Sequence, residues 1–365
     1  MSELRTAEVD TDMQVRDGTR VAIVMLSAIG DAVHVLPVVT ALKRHAPGCH
    51  ITWVLQPGPA SLVRGHPAVD DIVIFHRRGG LGAFRSVARE LRSRRCDLVI
   101  DLQTSLKAGI ITLLSGAPVR LGFDRARAKD LNTLFTNRRI HAGRNQHVQD
   151  QYFEFLAELG IEARPVEWLL GPRPDERAAQ RTFFTGIERP VVSLVIATSN
   201  PHKDWVAERW AALVDVLYED FGLQPLLVGG RSERELETER VIMERARHRP
   251  LSALGAPLRE LVWQLDGSAL VISLDTGPMH MAVALRRPVI ALMGYNNPRR
   301  IGPYDRFHDL VIDAYGDEGE DYEISRAHRP DRMQRITVDQ VAEKVRLWQQ
   351  RYRNGIPEGP APGSD

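Results

Sequence analysis

Cysteine is nearly absent. The 365 residues carry only Cys49 and Cys96, far apart, with no CxxC pair and no histidine at ligand spacing. This excludes a disulfide framework and a structural zinc site, and makes a reducing cytoplasm the expected compartment. Aromatic residues are only 6% of the chain and do not interleave with its basic runs, so no stacking platform for nucleic acid is present. No apolar run approaches the roughly 18 residues that span a bilayer. The run Val21 to Leu26 is also too short for the core of a signal peptide. The G-x-G-x-x-G fingerprint of dinucleotide-binding folds is missing, which argues against a nicotinamide enzyme.

The composition that remains, 43% hydrophobic and 26% charged, is that of a folded globular protein. Its length accommodates about two domains at roughly 150 residues each. The net charge of +1 conceals an asymmetry. Between Arg20 and Arg164 there are 20 Lys and Arg against 12 Asp and Glu, so the first half is strongly positive and suited to an anionic partner. Seven arginines (77, 78, 85, 89, 92, 94 and 95) and a single acid, Glu90, crowd residues 76 to 95. A solvated helix face is the plain reading of that run.

Short β-branched runs alternate with amphipathic stretches throughout, which predicts parallel βαβ units. In the first half, strands are expected at 21–25, 50–55, 71–75, 97–102 and 119–122, with helices such as 32–45 and 81–94. A second set is expected at 191–197, 224–228, 252–254, 270–274, 289–293 and 310–312. Prolines at 165, 172, 174 and 190 mark the break between the halves. The expected organisation is a disordered extension over 1–18, a domain over 19–165, a linker over 166–188, a second domain over 189–336, a helix over 337–353 capped by Thr337, and a disordered tail over 354–365.

Three turns at strand ends carry candidate chemistry, because ligands of open parallel sheets bind beyond the carboxyl ends of the strands. Ser27-Ala28-Ile29-Gly30-Asp31 follows the first strand; Gly30 permits close backbone approach, and Asp31 is either a helix cap or a functional carboxylate. Asp275-Thr276-Gly277-Pro278-Met279-His280 runs from a strand into an apolar helix, a setting whose free N–H groups suit phosphate. His280 lies one turn beyond Thr276, so both could face one ligand; the structural alternative is a capping Asp275 and an interior His280. Thr198-Ser199-Asn200-Pro201-His202-Lys203 opens the second half and offers hydroxyls and a point charge for a pyrophosphate, or simply a solvated lysine.

Taken in order, Gly30-Asp31-x-x-His34-x-x-Pro37, Lys203-x-Trp205-x-x-Glu208-x-Trp210 and Asp275-Thr276-Gly277-x-x-His280 resemble glycosyltransferase family 9, the lipopolysaccharide heptosyltransferases. The likeness spans roughly residues 20 to 350 and includes His66-Pro67-x-Val69-Asp70, Asp101-Leu102-Gln103 with Lys107, and Arg120-x-Gly122-Phe123. It implies an α/β GT-B enzyme of two Rossmann-like, doubly wound parallel-sheet domains facing across a cleft. The implied reaction moves heptose from ADP-heptose to Kdo or heptose of the inner core, with inversion and without a metal or other cofactor. By motif match, Asp31 would be the base and Lys203 would hold a donor phosphate. Thr198, Ser199, Glu233, Asp275, Thr276, Gly277 and His280 would bind the donor; Gly30, Arg77, Arg78, Lys107 and Arg120 would meet the acceptor.

The implied partners are a nucleotide sugar, an anionic lipid-linked saccharide and the cytoplasmic face of the inner membrane, to which the arginine run would be drawn; nucleic acid is not among them. The sole Asp-x-Asp, Asp10-Thr11-Asp12, lies outside any strand-end context and does not indicate a metal-bound diphosphate. Two features depart from the family pattern: Val206 follows Trp205 where proline is common, and Pro278 stands within the Asp-Thr-Gly turn. A GT-B transferase or epimerase using a UDP-sugar, and a non-catalytic nucleotide-sugar binding protein, are the competing readings.

Overall fold

The computed structural model describes residues 11–353 and Gly355, which divide between two compact units, Met1–Leu169 and Leu170–Asp365. In the first unit the chain runs β1 (Arg20–Val24), α1 (Ile29–His45), β2 (His50–Leu55), α2 (Pro57–Val63), β3 (Asp71–Ile74), α3 (Gly80–Arg94), β4 (Leu98–Asp101), α4 (Leu106–Leu114), β5 (Val119–Gly122), β6 (Arg138–Arg139) and α5 (Val148–Glu158). All pairings are parallel, in the order β3-β2-β1-β4-β5-β6. Val21, Ala22, Ile23 and Val24 are fully buried, as strands covered by helices on both faces must be. A core of Val24, Val54, Val73, Val99 and Ile111 takes Val87 and Leu91 of α3 from above, with Phe84 packed at its margin.

The second unit contains α6 (Pro174–Phe184), β7 (Val191–Val195), α7 (Ala207–Glu219), β8 (Gln224–Val228), α8 (Glu233–Arg245), β9 (Leu251–Ser252), α9 (Leu258–Gly267), β10 (Leu270–Leu274), α10 (Gly277–Ala284), β11 (Val289–Met293), α11 (Pro298–Ile301), β12 (Val311–Asp313) and α12 (Val338–Arg351). Its sheet order, β12-β11-β10-β7-β8-β9, is the same doubly wound plan repeated. In each sheet the order reverses beside the first strand of the unit, between β1 and β4 and between β7 and β10. There successive connections leave in opposite directions, and the sheet's carboxyl edge opens into a crevice. Thr337 caps α12 as expected, its hydroxyl accepting from Gln340 N at 3.2 Å.

The expected strands are present, with ends shifted by one or two residues. Leu310, expected in a strand, closes a short 3-10 turn before β12. The two-residue β6 was not anticipated, since it is too short to show alternation. The expected linker contains structure: α6 docks on α9, where Gln180 donates to Trp263 O at 2.8 Å and Phe183 meets the Trp263 ring edge-on at 5.3 Å. It is therefore part of the second unit, and the division falls between Leu169 and Leu170. The expected disorder of 1–18 does not hold for residues 12–18, because Met13 and Val15 are buried and Asp17 accepts from Gly48 N at 2.7 Å. Residues 1–10, and the expected tail 354–365 apart from Gly355, lie outside the described residues.

Candidate functional site

At the first crevice, Asp31 occupies the third position of α1, not its cap. Its Oδ2 accepts from Ala28 N at 2.8 Å, the reciprocal half of a capping box. Its Oδ1 accepts from Tyr152 Oη at 3.3 Å. Three residues on, the buried His34 shares a 3.0 Å contact with Gln149 Oε1, and Gln149 Nε2 donates to His34 O at 2.8 Å. Asp31 and His34 on α1 thus meet Tyr152 and Gln149 on α5, a spacing of three on each helix that pairs them antiparallel. The turn before α1 is held by Gln103, whose Oε1 accepts from Leu26 N at 2.9 Å and whose Nε2 donates to Ser27 O at 3.1 Å.

Gln103 is in turn seated by Asp101 at the end of β4. This carboxylate is fully buried and accepts from Gln103 N (3.1 Å), Thr112 Oγ1 (3.1 Å) and Asn132 Nδ2 (2.9 Å). Burial pushes its pKa up to about 7 despite those three donors. Beyond the ends of β2 and β3, a cavity of about 570 Å³ is lined by Gln56, Pro57, His76, Arg77, Arg78 and Lys107. The side chains of Arg77, Arg78 and Lys107 enter no hydrogen bond or ion pair among the described residues, so three cations face one cavity unneutralised.

Three of the expected acceptor residues are therefore brought together. Gly30 is not among the residues lining that cavity and is half-buried in the first turn of α1. Arg120 is placed otherwise: its guanidinium donates to Phe135 O at 2.9 Å and Ala117 O at 2.8 Å. It braces the segment after β5 and does not line the cavity.

At the second crevice, Lys203 Nζ lies 2.8 Å from Asp275 Oδ2, joining the loop after β7 to the end of β10. Asn296 Nδ2 donates to the same oxygen at 2.5 Å. Asp275 is buried, but Thr276, not Asp275, is the cap of α10, and its hydroxyl makes no capping bond. In the first turn of α10 Pro278 has no N–H and the Met279 N–H donates to Thr276 O at 3.0 Å, so what the turn offers an anion is the Gly277 N–H and the positive end of the helix dipole. His280 is buried in the next turn. Thr198 is buried with its hydroxyl donating to Asn200 O at 2.8 Å, and Ser199 is exposed. Asp204 accepts from Thr198 N at 2.7 Å and pairs with Arg234 at 3.2 Å; burial raises its pKa. Glu233 is exposed on the first turn of α8, whereas Glu235 does the local work, accepting from Gly230 N at 2.6 Å and Ser232 N at 2.8 Å.

Tyr152, Gln149 and Asn296 were missed. Asn296 sits in Gly294-Tyr295-Asn296-Asn297-Pro298, a polar turn at the end of β11 beside β10, and the same strand-end rule would have found it. Tyr152 and Gln149 left no comparable signal, being polar residues within an ordinary amphipathic helix. Several motif residues are structural: the Trp205 indole donates to Ile336 O at 2.9 Å, and His66 Nε2 is 2.9 Å from Trp168 O. Among the described residues, no cluster of three or more His, Cys, Asp or Glu side chains is arranged to hold a metal ion.

The profile of glycosyltransferase family 9 (heptosyltransferase) matches residues 84–321, which include Lys203 and the whole Asp275–His280 turn. The chain belongs to this family. It is accordingly an enzyme, a glycosyltransferase of the two-domain α/β GT-B type. It is 30% identical over 312 residues to lipopolysaccharide heptosyltransferase 1 of Escherichia coli O18:K1:H7, covering 82% of this chain and 93% of that protein. Among solved structures, a family 9 glycosyl transferase from Veillonella parvula superposes with a TM-score of 0.76 at 23% identity, covering 92% of this chain and 99% of that one. The E. coli heptosyltransferase WaaC with ADP-2-deoxy-2-fluoro heptose gives 0.70 at 24% identity, covering 90% and 99%. Both likenesses carry the fold.

Two outcomes follow from the geometry. The folded protein holds the Asp101 proton more tightly than the unfolded chain, so this group's contribution to stability is full at low pH and is lost as pH rises towards 7. Thermal melts of the parent and of Asp101→Asn should therefore differ least in the parent's favour near pH 8, with a change of up to about 4 kcal/mol between pH 4 and pH 8. A pH-independent difference would contradict the buried titration. Asp275→Ala leaves Lys203 and Asn296 without their shared acceptor and should lower stability by about 2 kcal/mol in chemical denaturation.

Proposed function

We propose that this enzyme transfers heptose from ADP-heptose to an anionic, lipid-linked inner-core saccharide, Kdo or heptose, with inversion and without a metal. One observation carries the reading: each doubly wound sheet presents a chemically suited charged group at its order reversal, a carboxylate in one unit and a lysine in the other. Family membership and the relatives named for lipopolysaccharide heptosyl transfer support the reaction class; the WaaC structure with an ADP-heptose analogue supports the donor.

In this reading the acceptor hydroxyl oxygen attacks the anomeric carbon, and Asp31 takes its proton. Tyr152 and Ala28 N–H fix the carboxylate so that one oxygen is directed by each donor. The bond from the anomeric carbon to the diphosphate breaks, and its electron pair passes to the phosphate oxygen. Lys203 and the first turn of α10, with Thr276 and Gly277, stabilise the charge that develops there. A divalent cation would otherwise supply that stabilisation. His280, Ser199, Thr198 and Glu233 complete the donor site, and Asp275 and Asn296 orient Lys203. Arg77, Arg78 and Lys107 receive the acceptor's phosphate or carboxylate groups.

The reaction takes place at the cytoplasmic face of the inner membrane, with the enzyme in peripheral contact. No helix among the described residues is long and apolar enough to cross a membrane.

Asp31→Ala is expected to retain ADP-sugar binding by calorimetry while transfer falls by ~10²- to 10⁴-fold. Turnover at the parental rate would remove Asp31 from its role. Lys203→Ala should reduce transfer by about 10²- to 10³-fold. Chelation of divalent ions should leave transfer unchanged, and calorimetry should show ADP bound in preference to UDP. The reverse preference would favour a UDP-sugar enzyme.

A further inference from the structure

Outside both crevices, α3 and α4 enclose a second depression of about 570 Å³ in the first unit, with an apolar floor that includes Leu81, Phe84, Ile110 and Leu114 and a rim carrying Arg85 and Arg89. Leu81 is 75% exposed, although a leucine at the start of an amphipathic helix gains nothing from water. Around this groove the pattern repeats. Of the eight large apolar side chains exposed among the described residues, five are Leu81, Leu106, Leu113, Leu131 and Leu134. All five lie on α3, on α4, or on the turn packed against α4. That turn is held tightly, since a Cβ on Gly109 of α4 would fall 2.4 Å from the Phe135 ring.

The charged residues that line the groove, Arg85, Arg89 and Arg92, are of one sign. The guanidinium groups of Arg85 and Arg89 enter no hydrogen bond or ion pair among the described residues, as is true of Arg77 and Arg78 in the neighbouring cavity. On α4, Lys107 of that cavity and Ile110 and Leu114 of the groove follow at spacings of three and four, so the two depressions share one helix face. An apolar trough bordered by unneutralised arginines, next to a cationic cavity, matches the boundary of an anionic bilayer in both respects. A soluble acidic protein would complement the arginines but not five scattered exposed leucines.

From this we infer that the α3–α4 face docks on an anionic phospholipid bilayer, with a lipid acyl chain in the groove and phosphate headgroups on Arg85 and Arg89. The inference rests on the reading of a lipid-linked acceptor and says where that lipid's membrane meets the enzyme. It requires two signals together, because a single apolar contact holds a protein only marginally at a membrane.

The test uses the full chain without donor or acceptor, so it can fail while heptose transfer stands, and transfer can fail while it succeeds. Co-sedimentation is measured with vesicles of phosphatidylglycerol and phosphatidylethanolamine, and with vesicles of phosphatidylcholine alone. Binding to the anionic vesicles is expected, weakening as salt rises. R85A/R89A should lower the partition coefficient by ~30-fold, at about fivefold per arginine. L81Q should lower it several-fold, including at high salt where the ionic part is screened. All three positions are exposed or marginal to the core, and unchanged melting curves will show that the variants fold. The inference is overturned if the parent ignores anionic vesicles, if it binds phosphatidylcholine equally, or if the variants bind as the parent does. A concentration-dependent dimer abolished by L81Q would instead assign the groove to a second copy of the chain.

Discussion

The structure depends on one topological constraint, used twice. A parallel sheet whose strand order reverses cannot cover its own edge at the reversal, because the connections on either side leave in opposite directions. Backbone ends, helix N-termini and whatever side chains the turns carry are left facing outward there. In the first unit the β1–β4 junction holds Asp31 and Gln103; in the second, the β7–β10 junction holds Lys203 and Asp275. Neither pair is drawn from neighbouring positions in the chain. The fold brings together residues far apart in the chain whose identity alone would leave them ordinary: Ser27 of the turn before Asp31 with Gln103, and Lys203 with Asp275.

The two junctions are stabilised by different chemistry. In the first, neutral amides dominate: Gln103 satisfies both a donor and an acceptor of the turn at 26–27, and a buried carboxylate, Asp101, satisfies Gln103 in turn. In the second, an ion pair takes the same place, with Asn296 as the third member. An amide brace adds no formal charge beside Asp31, which suits the proton transfer proposed for that carboxylate. Asp275 holds Lys203 through both a carboxylate oxygen and its backbone carbonyl, leaving a third ammonium donor for the diphosphate of the proposed reaction.

The strands were legible because they are buried on both faces and so appear as uninterrupted apolar runs, such as Val289–Met293. Asp31, Lys203 and Thr276 were legible for a positional reason: each follows such a run directly. Arg77 and Arg78, marked by the density of arginines, and Lys107, marked by the family resemblance, line one cavity. Arg120 shows the limit of that reasoning, since a cation in a sequence carries no mark that its donors are already committed to Phe135 and Ala117 carbonyls. Tyr152 could not be found from pattern at all. Its significance arises only from the antiparallel packing of two helices more than a hundred residues apart in the chain, and no local periodicity encodes it. Glu235, which holds the turn at Gly229 and Gly230, was passed over for Glu233, two positions away on the same helix turn.

The clasp between α1 and α5 has a bearing on how the protein is made. Asp31 leaves the ribosome early, but Tyr152 and Gln149 belong to the last helix of the first unit. Until that helix has emerged, the carboxylate has its Ala28 N–H donor but lacks Tyr152, and the nascent first unit carries a β-sheet whose α1 corner is not yet clasped. Since domains fold as units during synthesis, from the N-terminus onward, the clasp closes late, when translation of the unit is almost complete. A chain stalled or cleaved before residue 148 would hold all six strands of the first sheet and an Asp31 without its Tyr152 partner.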